Sequence, residues 1–122
     1  MEEVAPVLDT RHLARLRELG RGEGAEMLEK MVQRYLASVP PQLERMRGFL
    51  ATQEPAKLEM EAHSLAGSSA MYGLPRLRQC CVALERHSRG QRLEGAEELL
   101  GAIERAFVEA GPLLLEDLCP KR

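Results

Sequence analysis

Residues 62–85 read AHSLAGSSAMYGLPRLRQCCVALE. On a helical wheel of about 100° per residue, Leu58, Ala62, Leu65, Ser69 and Tyr72 fall together on the side away from His63. Ala56, Glu59, Ala66, Gly67, Ala70 and Leu74 lie within about 60° of that histidine. The leucines therefore turn toward a core while the imidazole stands among small side chains, and an exposed His63 is expected. Gly67 lies one turn further on the same face, although glycine inside a helix costs about 1 kcal/mol relative to alanine. It serves either a close approach by another molecule or tight packing by a neighbouring helix. Ser68 and Ser69 can bond the preceding turn or fill narrow inter-helix space. Cys80 and Cys81 read as small buried hydrophobes.

Outward from this stretch the whole chain has the same helical character. Its 122 residues suit one domain. It is 44% hydrophobic with two Phe, two Tyr and no Trp, so the core must come from Leu, Ala, Met and Val. Those residues, with abundant Glu and Arg, favour helix, and the scarcity of aromatic and β-branched residues argues against sheet.

Apolar residues then recur at helical spacing. After a tail over residues 1–8, Asp9 or Thr10 can cap a helix carrying Leu13, Leu16 and Leu19, with Gly20 to stop it. Gly22-Glu23-Gly24 reads as a turn, and Leu28, Met31 or Val32, Tyr35 and Val39 start a second helix. Pro40-Pro41 is expected to break or kink it before Leu43, Met46 and Leu50 resume the stripe. A helix from about Pro55 to Tyr72 follows, interrupted by Gly73. Leu74, Leu77, Cys81, Leu84 and Ser88 mark the next, up to Arg89-Gly90. Leu93, Ala96, Leu100, Ile103, Phe107 and Ala110 mark the last, which Gly111-Pro112 should end or bend. The expected fold is all-α: an antiparallel four-helix bundle with an additional N-terminal helix laid across one end. The domain spans residues 9–118, and residues 119–122 form a C-terminal tail.

Charge and cysteine usage narrow the function. A net charge of −2 gives no reason to expect nucleic acid or an anionic membrane as partner. Arg76, Arg78, Arg86, Arg89 and Arg92 face only Glu85 in their stretch, which predicts a locally positive edge, whereas acids dominate from Glu94 to Asp117. Three cysteines, two of them adjacent, form neither a disulfide framework nor a C-x-x-C metal site, so a reduced, cytoplasmic setting is expected. No apolar run approaches the roughly 20 residues of a membrane span, and the acidic N-terminus does not read as a signal peptide. With no obvious second apolar face, a monomer is expected.

The histidine carries the chemistry. No H-x-x-x-H or cysteine cluster completes a metal site, so none is expected. His12 and His87 have no nucleophile elbow to serve, and no phosphate loop or nucleotide fingerprint is present. A neutral imidazole is nonetheless a good nucleophile near neutral pH, because its ordinary pKa is about 6.5. It can attack phosphorus if a partner supplies the metal and the charge-neutralising donors.

The quoted residues closely resemble the histidine-containing phosphotransfer (HPt) domain family, whose pattern is approximately H-x-L-K-G-S-S, a later glycine, then L-x-x-x-C-x-x-L-E. Here these are His63, Leu65, Gly67-Ser68-Ser69, Gly73, Leu77, Cys81 and Leu84-Glu85. The resemblance implies an HPt-like bundle with His63 as phosphoacceptor. It implies Ala66, Gly67, Ala70 and Arg89 as partner-binding residues. The partners implied are receiver domains of response regulators and of a hybrid histidine kinase. Such a protein relays a phosphoryl group between receiver aspartates, needs no cofactor of its own, since Mg2+ is expected on the receiver, and is a phosphocarrier without autonomous kinase activity. One departure stands out: Ala66 replaces the family's usual lysine. Arg89, Lys57 or another arginine is then the candidate compensating cation. The alternative is an adaptor that sequesters a receiver without efficient transfer, and a helical scaffold or catalytic module unrelated to phosphotransfer is a third reading.

Overall fold

Asp9 opens the first helix by accepting the backbone N–H of His12 at 3.1 Å, which satisfies one of the donors a helix N-terminus leaves unpaired. The computed structural model describes residues 3–120. Within them α1 spans Thr10–Leu19, a single 3-10 turn Gly22–Gly24, α2 Ala25–Ala51, α3 Pro55–Met71, α4 Pro75–Arg89 and α5 Ala96–Leu118. Proline at the first turn of α3 and of α4 costs no hydrogen bond there. Gly73, at φ +69° between them, takes the left-handed conformation that a side chain would oppose.

Helices α2, α3, α4 and α5 pack in a closed ring, each against its sequence neighbour and α5 against α2. The short connections make neighbours antiparallel. Helix α1 packs on α2 and α5. The Asp9 N–H donates to the Gly73 carbonyl at 2.9 Å, which ties the start of α1 to the α3–α4 turn at the same end of the bundle. The core is filled by Leu13, Val32, Val39, Met46, Leu58, Leu65, Leu77, Leu84, Leu100, Ile103 and Leu114. In α2 it is Val32, not Met31, that faces inward.

The prolines inside α2 and α5 do not end those helices, and residues assigned to the two tails pack on the domain. Helix α2 runs unbroken through Pro40 and Pro41 for 27 residues. Both prolines are exposed, so water can reach the carbonyls of Leu36 and Ala37 that lose their N–H partners. Val39, Gln42 and Met46 meanwhile keep the buried face continuous. Likewise Gly111-Pro112 does not end α5, which continues to Leu118. An interior proline costs about 3 kcal/mol, but Leu114 and Leu118 beyond it are buried and each contributes about 1.5–3 kcal/mol. Finally, of the tail assigned to residues 1–8, residues 1 and 2 lie outside the described residues, and the rest is tied to the domain. The Arg76 guanidinium donates to the Ala5 carbonyl (2.8 Å) and Gln79 bonds both Ala5 and Glu3, while Val7 and Leu8 pack on the core. At the other terminus Cys119, assigned to the tail, is buried.

Candidate functional site

Helix α3 presents His63 outward because Leu58, Ala62, Leu65 and Ser69 occupy its buried face. The His63 side chain is 76% exposed. Its Nδ1 lies 2.9 Å from Glu85 Oε2 on the neighbouring α4. A carboxylate only accepts, so Nδ1 carries the hydrogen, and in the neutral ring Nε2 carries the lone pair. The same Glu85 oxygen accepts from Arg89 Nη2 at 3.0 Å, and Arg89 Nε donates to Glu59 Oε2, also at 3.0 Å. Four side chains along the α3–α4 seam thus form one chain of contacts, Glu59–Arg89–Glu85–His63.

Gly67 decides between the two readings of its sequence position. A Cβ built there meets no atom within 4 Å. The glycine borders open space, not a packed helix, so the approach to His63 is unobstructed. Ala70, on the same face, is exposed as well. Ala66 is not: it is only 5% exposed, so its place as a partner-facing residue is corrected to one in the core wall behind the histidine. The wheel put it at the edge of the exposed face, and the packing of α3 between its neighbours covers that edge.

Beneath this face the two tyrosines lock α3 to α2. The rings of Tyr35 and Tyr72 stack with centroids 4.6 Å apart, the Tyr35 hydroxyl meets Ser69 Oγ at 3.0 Å, and the Tyr72 hydroxyl donates to the Met31 carbonyl. Burial pushes the Tyr35 phenol up to about 12. Ser68 Oγ donates back to the Leu65 carbonyl, so both serines serve the helix and its packing. Burial likewise raises the thiols of Cys80 and Cys81, which disfavours their thiolate forms.

The arginine edge is less positive than its composition suggests. Arg76 pairs with Glu109 on α5, and Arg89 with Glu59 and Glu85. Arg78, Arg86 and Arg92 are exposed and form no ion pair among the described residues. Lys57 pairs with Glu54 and lies over the Phe49 ring, so Arg89 is the cation placed at the histidine. Sequence reasoning gave Glu59 and Glu85 no role, although Glu59–His63 and Glu85–Arg89 both have the four-residue spacing of helical neighbours.

An all-α bundle with one exposed, tautomerically fixed imidazole beside open surface is the layout of a phosphocarrier. The chain matches the Hpt domain family model over residues 30–118 and belongs to that family, whose members are carriers of phosphohistidine and not kinases. Its structure is similar to that of histidine-containing phosphotransfer protein B (HptB) from Pseudomonas aeruginosa PAO1. The TM-score is 0.86 at 26% identity, covering 97% of this chain and 99% of that one. It also shares its fold with a rice protein assigned as a histidine-containing phosphotransfer protein. There the TM-score is 0.78 at 15% identity, covering 92% of this chain and 81% of the other. No protein of curated function matches the chain. No helix among the described residues is long and apolar enough to cross a membrane.

Proposed function

We propose that His63 accepts a phosphoryl group from the aspartyl phosphate of one receiver domain and passes it to the aspartate of another, between a hybrid histidine kinase and a response regulator. The Nε2 lone pair attacks phosphorus, the P–O bond to aspartate breaks, and the carboxylate leaves with the bonding electrons; onward transfer is the same step reversed on a second receiver. Magnesium on the receiver neutralises phosphoryl charge during the exchange. Glu85 supports the step by holding the Nδ1 hydrogen, which keeps the lone pair on the outward nitrogen. Gly67 and Ala70 leave room for the receiver's loops, and the exposed Met60 and Met71 on α3 give it adaptable apolar contacts. Exchange of partners after each transfer calls for a modest interface. The protein has no kinase activity of its own.

The observation that carries this reading is the exposed Nε2 lone pair beside the open surface at Gly67. The test is transfer from a panel of phosphorylated receivers, in magnesium, to wild type and His63→Gln. Acid-labile, base-stable label on wild type alone is expected. The adaptor reading draws on Ala66 and on the two carboxylates that occupy Arg89; it predicts receiver binding without label, and a biological effect that His63→Gln leaves intact. A panel with neither label nor binding overturns both.

A further inference from the structure

The charges around His63 do not favour a bound phosphoryl group. Arg89 is the only cation in the contact chain that reaches the ring among the described residues, and two carboxylates already hold it. Glu59 and Glu85 together outweigh it by one negative charge. Glu59 sits one turn before His63 on the same helix face, about 5–6 Å away between Cβ atoms. Arg78 and Arg86 do not fill the deficit. Arg78 stands about 10 Å along α4 from Glu85, and Arg86 is turned about 100° from it around the helix. On the α2 side Arg45 pairs with Glu61, a pair neutral in sum.

We infer that Glu59 raises the phosphoryl-transfer potential of His63, by adding a negative charge that Arg89, shared with Glu85, offsets only in part, which makes the phosphorylated form a strong donor and a poor store. This rests on the relay reading, and it assigns a low occupancy: the exchange with either receiver is shifted toward the receiver, so the protein passes phosphate on instead of accumulating it. Glu59 acts through the field at the ring and makes no contact with the reacting atoms, which makes it a positioning residue.

The test compares wild type, Glu59→Gln and Glu59→Asp in two reactions. The first is the equilibrium with a phosphorylated receiver. The second is the equilibrium with phosphoramidate at fixed ammonium, in which Nε2 attacks phosphorus, the P–N bond breaks and ammonia leaves. Glu59→Gln keeps the shape but removes the charge, and is expected to raise the phosphohistidine fraction relative to free His63 about three- to tenfold in both. Glu59→Asp, which keeps the charge, is expected to stay near wild type. A purely structural Glu59 would leave the equilibrium unmoved or move it equally in both variants, and either outcome overturns the inference. If no receiver labels wild type yet Glu59→Gln shifts the phosphoramidate equilibrium, the relay reading fails and the role of Glu59 stands. Equal melting temperatures establish that all three proteins are folded.

Discussion

At the scale of single residues, access to His63 depends on Gly67 having no side chain. A Cβ there touches nothing, and replacing a mid-helix glycine recovers up to about 1 kcal/mol. Gly67→Gln is therefore expected to melt at or slightly above the wild-type temperature while its transfer rate falls at least about tenfold, because the amide occupies the approach to the ring. Thermal unfolding and transfer kinetics on one preparation check both halves. Loss of stability together with transfer would return Gly67 to a packing role. Ala66 shows the opposite case: it lies close to His63 on the wheel yet is buried, because the packing of α3 covers that edge of the face.

Among the elements, α3 has the most exacting position, since it must hold the histidine outward while its own small residues leave little apolar surface for anchoring. The Tyr35–Ser69 contact and the Tyr35–Tyr72 stack supply that anchoring from α2. Ser69→Ala leaves the buried Tyr35 hydroxyl without its partner and is expected to cost about 1–3 kcal/mol in chemical denaturation. Adding Tyr35→Phe removes the stranded hydroxyl and should recover part of the loss. Strict additivity of the two substitutions would show that the contact contributes nothing.

For the molecule as a whole, the titrating groups define a pH window of maximal stability. The Arg45 hydrogen bond holds the Glu61 carboxyl below the ordinary range. That stabilisation is present above the unfolded carboxyl value and is lost as pH falls through the lower folded one. On the alkaline side burial raises Cys80, Cys81, Tyr35 and Tyr72. For these the unfolded chain ionises first, so stability is complete below the unfolded values and declines as pH rises past them. The urea midpoint is expected to be level from about pH 5 to 8 and to fall toward pH 4 and above pH 9. Tyr35→Phe should flatten the part of the alkaline decline that begins near pH 10, where its unfolded phenol ionises. A midpoint unchanged up to pH 11 would contradict the burial of these groups.

What the chain determined by itself was local. The 3.6-residue period separates Leu58, Leu65, Leu77, Leu84, Leu100 and Ile103, which are buried, from His63 and Gly67, which are open. One stretch of sequence therefore suffices to read the helices, their inward faces and the exposed histidine. Proline and glycine inside α2 and α5 do not end those helices, because a local penalty is outweighed by burial on either side of it. Tertiary structure alone decided what surrounds the imidazole. Glu85 and Arg89 reach His63 and Glu59 only through the register of α4 against α3. Side chains 22 and 30 residues apart meet through packing along the whole seam, and no periodicity in either helix encodes that alignment.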